Sequence, residues 1–574
     1  MIKKEYIKKK KIFNKIVAGV MALTFSLGLA ACGKEEDTSS TTGNDGSVVE
    51  NSDVSDDKTD NTDNTQAESS GNSIVNIGVN DNIKSLNPLQ MDYGFMDQYA
   101  VAFSYLPLLQ NSSSGEKIPG VAESITTDDN QTFHIKIRDD ATWSDGEPIT
   151  SDDVIFTFLK ISSPVVANEN FSFSGFKGFD EGGLSPEGAT EIEGLVKIDD
   201  KNLDLVAVDK FPLSAIQNSY GTWINIIPYH VLKDLSDEEL ASYEWFDHPD
   251  VVSGPYKVVD SDYDHYITYE ANENYFNGAP KIKTLNVKIV QSNELLAGLS
   301  TGEIDFVQPA VGTVPVEDRE AVESLDNVEA IYADAITNEL TEFNIATVPD
   351  ARVRQAFVYA IDRENIVNNL LGGRAEIHDG MISSVSPYFD ADQENIPYDP
   401  DKAKELLDEA IADGSWDNHT INYYVSSGDS NIVRATAVIE QNLEAVGFDV
   451  EIHTTDFASM WNYVGTEDCD VHSVQYTMQP SDYYSDEIYL FGTGNRYSYS
   501  NEQVDELLSQ FANATTDDEI RQLYWDLDEI FVEDIPAFSL YFGKNLGIVS
   551  TRLKNATPSF YGAFANVQEW EIVE

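Results

Sequence analysis

Cysteine is nearly absent from this 574-residue chain: only Cys32 and Cys469 occur. Cys469, between Asp468 and Asp470, has no second thiol left to pair with once Cys32 is spoken for, so no intrachain disulfide is expected. A chain of this size buries large cores without such staples, and its length predicts more than one domain. Positive charge is equally scarce, with 36 Lys and Arg against 100 Asp and Glu and a formal net charge of -64. That balance excludes nucleic acid as a partner, because phosphate binding needs a basic surface, and it disfavours spreading on an anionic leaflet. A field of this sign attracts cations and basic peptides over long range, or does no more than keep a surface protein soluble. Catalytic signatures are missing too. There is no His-Glu-x-x-His helix, no Gly-x-Ser-x-Gly elbow and no phosphate loop ending in Gly-Lys-Ser/Thr. Gly492-Thr493-Gly494 lacks the third glycine of a nucleotide loop. The eight histidines are scattered without metal-ligand spacing. His472, near Asp470, is either a weak metal ligand or a structural histidine. So many carboxylates make close pairs by chance, and no glycosidase pair is read from proximity in sequence. Neither a metal nor a cofactor is expected.

What is present begins at the N-terminus. Lys3, Lys4, Lys8 to Lys11 and Lys15 precede the apolar stretch Ile16–Ala30, and Ala30-Ala31 follow as small residues. This is the pattern of a secretory signal, shorter than the roughly 20 residues of a comfortable membrane span. Cys32 directly after those small residues resembles the lipobox of bacterial lipoproteins. The resemblance implies lipidation of Cys32, loss of residues 1–31 and a chain tethered outside the cell; an ordinary secreted protein is the alternative. Removing the leader, with its seven Lys and one Glu, takes the charge from -64 to -70. Residues 33–73 are Ser, Thr, Asn, Asp and Gly with almost nothing apolar, so they read as a disordered acidic tether spanning on the order of 35 Å as a flexible coil.

Ile74–Val79 reads as the first strand of an α/β body. Phe133, Ile135 and Ile137 alternate with His134, Lys136 and Arg138, the period of a half-buried strand. Trp143-Ser144-Asp145-Gly146-Glu147-Pro148 reads as a turn. Thr150 and Asp153 then mark a helix start. Further helices are expected over Asp350–Leu371, Asp401–Ile411 and Asn501–Asn513. No repeat period appears.

Several of these segments, with others, carry a family resemblance. They are Gly120-Val121-Ala122-Glu123-Ser124, the run Phe133 to Arg138, Trp143 to Val154, Ile227-Pro228-Tyr229-His230-Val231-Leu232, Ser253-Gly254-Pro255-Tyr256, Arg352-Val353-Arg354-Gln355-Ala356, Ala360-Ile361-Asp362-Arg363 and Tyr398-Asp399-Pro400-Asp401-Lys402-Ala403. In order and spacing they resemble the extracellular solute-binding proteins of family 5, the dipeptide, oligopeptide and nickel binders of ABC transporters, from about residue 74 to 550. Most of these motifs read as scaffold: Trp143 under its turn, Gly254-Pro255 at a backbone corner, Arg352 and Arg354 paired with carboxylates. The resemblance implies a two-lobed periplasmic-binding-protein-like α/β fold (class II, cluster C type) with an extra subdomain on lobe I. The expected divisions are lobe I over 74–103, the subdomain over 104–245, lobe I again over 246–338, lobe II over 339–543 and a return to lobe I over 544–574.

The same resemblance implies capture of short peptides between the lobes and delivery to the permease of an ABC importer. The protein is expected to act as a monomer, membrane-linked by its lipid alone, without catalysis. Other solutes of the family, such as an oligosaccharide, a nickel chelate, haem or an opine, remain alternatives, as do a peptide-pheromone receptor and a surface hydrolase. In the family a carboxylate before a Tyr faces the ligand ammonium, and the matching segment is Gln479-Pro480-Ser481-Asp482-Tyr483. Asp482 is therefore the expected anchor, with a loop cap as its alternative, and Tyr483 stands beside it. Gln479 in place of the usual Trp, and Ser485-Asp486 in place of Asp-Pro, change the shape of that wall. Asp92, Tyr93, Gly94 and Phe95 are expected to form the facing wall. Arg374 and Arg496 are candidates for the ligand's carboxyl end.

Overall fold

The computed structural model describes residues 74–573 apart from 81, 92–94, 169, 478–482, 484–486, 488, 489 and 496. The framework strands are β1 (Ile74–Val79), β2 (Ala122–Thr127), β3 (Thr132–Ile137), β4 (Leu195–Lys197), β5 (Asn202–Val206), β6 (Tyr256–Asp262), β7 (Tyr266–Ala271), β8 (Thr284–Ile289), β9 (Phe306–Val307), β10 (Val328–Phe343), β11 (Ile421–Ser426), β12 (Val450–Thr455), β13 (Val471–Thr477) and β14 (Ala537–Ser550). The helices that position the site are α1 (Phe95–Ala102), α2 (Ser151–Ile161), α3 (Leu295–Thr301), α4 (Arg319–Glu323), α5 (Ala351–Ala360), α6 (Pro400–Asp413), α7 (Ser430–Val446), α8 (Glu502–Phe511) and α9 (Asp517–Asp534).

One large sheet runs in the order β12-β11-β13-β10-β14-β9-β1-β8-β7-β6, with the short strand Ala375–Glu376 added to β14. It holds two parallel groups. In the first, β1 lies between β8 and β9; in the second, β11 lies between β12 and β13. The groups are joined by β10 and β14, antiparallel strands paired from Val328–Ser550 to Glu342–Ala537. Their register shifts between Tyr332 and Thr337 and again between Glu339 and Leu340, and such bulges re-aim the side chains that follow. The apolar cores divide along these two strands. Ile336 belongs to the cluster built on β1, β3 and β8, whereas Leu340 and Phe343 belong to clusters packed under α5 to α9. A separate four-stranded sheet, β2-β3-β5-β4, packs into the first core.

Local chemistry explains the elements. On β3, Phe133, Ile135 and Ile137 face the core while His134 reaches Asp204 on β5 at 2.7 Å, as a period of two requires. The start of α2 is closed by Asp153, whose carboxylate accepts the Thr150 N–H at 2.7 Å and the Tyr229 N–H at 2.8 Å. Helices α6 and α7 begin on Asp399 and Asp429, whose carboxylates accept backbone N–H groups of the first turn, and end on Gly414 and Gly447 at positive φ. The helix expected over Asp350–Leu371 is interrupted. It stops at Ala360, Ile361 is extended and buried, and Asp362 caps a new turn by accepting the Asn365 N–H at 2.9 Å. The local pull of an Asp cap outweighs the helical spacing there.

The family motifs meet in the scaffold. Trp143 is fully buried, its turn closed by the Gly146 N–H to the Trp143 carbonyl at 2.9 Å. The Ser144 N–H donates to the Val252 carbonyl, and Asp145 pairs with His230 at 2.9 Å. A Cβ on Gly254 would stand 2.3 Å from the Phe103 carbonyl oxygen, so only glycine fits. Arg352 pairs with Asp350 and Asp413 at 2.7 and 2.9 Å. Arg354 differs from expectation: it donates to the carbonyls of Val348, Asp534 and Ile535, satisfying the end of α9 rather than a carboxylate. Arg363 and Asp379 form a buried ion pair at 2.6 Å, and Arg363 also donates to the Ser539 and Ile396 carbonyls. Among the described residues no helix is long and apolar enough to cross a membrane.

Candidate functional site

Open parallel sheets bind ligands outside the carboxyl ends of their strands. In the first half those ends are tied by Asn80: its side chain donates to the Val290 carbonyl at 3.1 Å and accepts from the Thr313 N–H. Gln308, directly after β9, is fully buried and donates to Tyr99 Oη at 3.0 Å and to the Ser559 and Phe560 carbonyls at 2.9 and 2.6 Å. The Tyr99 hydroxyl itself donates to the Phe560 carbonyl at 2.7 Å. These bonds lock α1 and the C-terminal segment onto the edge of the first sheet group. The next residue, Tyr561, reaches across and donates its hydroxyl to the Thr477 carbonyl at 3.1 Å.

Thr477 ends β13. Its hydroxyl meets that of Thr337 on β10 at 3.0 Å, and Asn545 on β14 donates to Thr337 Oγ1 at 2.7 Å. A second bridge lies farther out, where Asn130 Nδ2 in the β2–β3 turn donates to the Ala514 carbonyl between α8 and α9 at 2.7 Å. The two halves therefore meet through Tyr561–Thr477 and Asn130–Ala514. Beside Tyr561 is a cavity of about 80 Å³ walled by Tyr99, Phe103, Trp223, Asn225 and Phe564. Asn225 donates to the Tyr105 carbonyl at 2.6 Å, while its own side-chain oxygen, which is buried, has no partner among the described residues.

The middle of β10 carries Asn338, Glu339, Thr341 and Glu342, all buried. Alternation sends them to opposite faces. Glu342 pairs with His472 at 2.8 Å, and the Tyr476 hydroxyl donates to the same carboxylate oxygen at 3.3 Å. The His472 ring stacks on Tyr497. The expected neighbour of His472, Asp470, instead accepts the Asn422 N–H and faces His419, and no cluster able to hold a metal ion forms among the described residues. On the other face, burial and then the Asp429 carboxylate push the Glu339 carboxyl well above its usual range. Among the described residues the Asn338 amide has no partner for either side-chain atom. Buried amides of this kind are completed by water or by a ligand.

Of the residues singled out in the sequence, Asp482, Asp92, Tyr93, Gly94, Cys32 and Arg496 lie outside the described residues. Phe95 opens α1, four residues before Tyr99. Tyr483 is buried, its hydroxyl accepting the Ser383 N–H at 3.1 Å and its own N–H donating to Tyr524 Oη at 3.1 Å. Arg374 binds Glu323 at 2.8 Å. Cys469 is buried, and burial followed by the Asp470 and Glu342 charges pushes its thiol up to about 12, which leaves it unreactive. Gln308, Tyr561 and Asn130 escaped sequence reasoning because their partners lie far away along the chain. The only signal for Glu339 and Glu342 was a pair of acids in an otherwise central strand.

Comparison with known proteins agrees with this architecture. The family model of bacterial extracellular solute-binding proteins, family 5, middle region, matches residues 116–498. The oligopeptide-binding protein AppA of Bacillus subtilis is 24% identical over 476 residues, covering 78% of this chain and 82% of AppA. Among solved structures, the ABC transporter substrate binding protein CtaP of Listeria monocytogenes superposes with a TM-score of 0.74 at 22% identity, covering 88% of this chain and 100% of that one. AppA of Bacillus subtilis in complex with a nonapeptide superposes with a TM-score of 0.65 at 21% identity, covering 87% and 99%. The two-lobed fold is shared with both.

Proposed function

The chain belongs to the bacterial extracellular solute-binding proteins of family 5, and from that premise we propose that it captures short peptides between its two halves and delivers them to an ABC importer. The observation that carries this reading is the likeness over three quarters of the chain to an oligopeptide-binding protein. The fold shared with a relative that was solved holding a nonapeptide supports it. In this reading the working motion is closure about β10 and β14, and a ligand touching both halves stabilises the closed form by its differential affinity. Asp482 faces the peptide ammonium with Tyr483 supporting its loop, and the segment Asp92-Tyr93-Gly94-Phe95 supplies the opposing backbone. The lobe boundaries follow the sequence divisions, with crossings near residues 338 and 544. A lipidated Cys32 holds the monomeric protein outside the cell on the tether 33–73, and no covalent chemistry is performed.

The test is calorimetry and native mass spectrometry on the chain from residue 32 with Cys32→Ser. A ladder of co-purifying short peptides is expected. Asp482→Asn should weaken peptides with a free amino terminus by a few kcal/mol, as removal of one partner of a buried charge pair does, and leave acetylated peptides unchanged. A hexose series or a nickel chelate in place of peptides would overturn the reading.

A further inference from the structure

The two bridges between the halves stand differently to the crossing strands. Tyr561 reaches the Thr477 carbonyl at the end of β13, a strand paired along β10. The other bridge touches neither crossing strand. Asn130 lies in the turn between β2 and β3, in the separate four-stranded sheet, and Ala514 lies in the connection between α8 and α9. It therefore ties the subdomain directly to the second half.

The turn holds Asn130 firmly on its own side. Its backbone stands at a φ of 58°, a region that Asn tolerates better than most residues. Its N–H donates to Thr127 Oγ1 at 2.9 Å, and its carbonyl accepts the Phe211 N–H at 2.8 Å. The Asp129 carboxylate accepts the Gln131 and Thr132 N–H groups at 2.9 and 2.7 Å. From this fixed turn Asn130 Nδ2 donates to the Ala514 carbonyl at 2.7 Å and to the Ala512 carbonyl at 3.4 Å. Ala512 and Ala514 directly follow α8. Carbonyls at a helix end have no partner within the helix, and the negative end of the helix dipole favours a donor there. The subdomain thus caps a helix of the other half. With the halves together Asn130 is 2% exposed and Ala514 8%. Parting them would return amide and carbonyls to water, which replaces the lost bonds, so the net worth of the contact is modest.

We propose that Asn130 is a latch between the subdomain and the α8–α9 connection, one that biases the unliganded protein toward its closed form. This rests on the reading that the halves close about β10 and β14, and not on which solute is bound. A contact made only in the closed form raises the closed fraction before any ligand arrives. Apparent affinity for a ligand that needs that form rises in proportion to the fraction. The latch thereby tunes affinity from outside the ligand space, by a bias small enough to leave opening possible.

The test places spin labels on Glu187→Cys and Glu506→Cys, exposed positions in the subdomain and on α8, in the chain from residue 32 with Cys32→Ser. Distances between the labels are read by pulsed electron spin resonance, on protein as isolated and after bound solute is stripped in urea. Asn130→Asp keeps the size of the side chain but offers no N–H and sets a carboxylate against two carbonyls. Asn130→Gly removes the amide and suits the positive φ. The stripped parent should keep a short-distance population. Each substitution should lower the ratio of short to long distances by about two- to tenfold, the scale of one neutral hydrogen bond, with Asp the stronger and the Gly variant melting close to the parent. Absence of the short distance from the stripped parent would overturn the proposal. So would distributions that neither substitution changes, and a lower melting temperature beside unchanged distances would make Asn130 a turn residue only. If stripping lengthens the distance but the substitutions do not, the latch falls and closure stands; if neither changes it, both fall.

Discussion

Replacing Asp528 with Asn should make the protein more stable at neutral and alkaline pH. Asp528 lies on α9, 4% exposed, packed so closely on Gly380 that a Cβ there would stand 2.7 Å from its Oδ1. Burial, followed by the charges of Asp390 and Asp379, pushes its carboxyl from 3.8 to about 7. For an acid whose folded value is raised, the contribution to stability is fully present below the unfolded value of 3.8 and is lost as pH rises through the folded value near 7. The difference between those values is about three pH units, at about 1.4 kcal/mol each, so the loss amounts to at most about 4 kcal/mol. The amide of Asp528→Asn would keep an acceptor for the Met381 N–H, which the carboxylate now takes, and cannot ionise. Urea unfolding followed by Trp fluorescence from pH 4 to 8 at fixed ionic strength is the assay. Native and variant proteins should unfold at similar urea concentrations near pH 4 and diverge between pH 4 and 7, with the variant ahead by a few kcal/mol at pH 8. Parallel pH profiles, or a variant less stable at pH 8, would refute the reasoning.

Other substitutions test the packing and the bridge between halves. Arg363→Met leaves Asp379 buried without its cation and should cost about 3–5 kcal/mol; adding Asp379→Asn should recover much of that in the same unfolding assay. Gly254→Ala forces a methyl against the Phe103 carbonyl and should destabilise by about 3 kcal/mol or more, beyond ordinary overpacking because backbone must move, seen as loss of soluble protein or a fall in Tm. Tyr561→Phe removes the hydroxyl that donates to Thr477 and should weaken ligand binding by about 0.5–1.5 kcal/mol with little change in unfolding midpoint; a large fall in the midpoint with unchanged affinity would make Tyr561 a core residue only.

The local order of the chain was legible because local chemistry fixes it. The alternation at Phe133–Ile137 and the Thr150–Asp153 helix start appear where expected, and α6, expected from Asp401, begins one residue earlier at Pro400 behind the Asp399 cap, since side-chain period and caps act within a few residues. The same logic misjudged Ile361-Asp362, where two local preferences compete and burial of Ile361 goes with the break. Arg354 was expected to seek a carboxylate because the sequence shows charge but not which helix end lies above it.

Sequence alone determined the acidic charge, the lack of disulfides, the α/β class and the family resemblance. Tertiary structure decided what those motifs touch: Asp153 meets Tyr229, Ser144 meets Val252, and Gly254 meets Phe103, contacts set by three-dimensional packing between segments far apart in the chain. It also decided that Asn338 to Glu342, polar on paper, run through the interior, because β10 lies between β13 and β14 with helices packed beyond both faces.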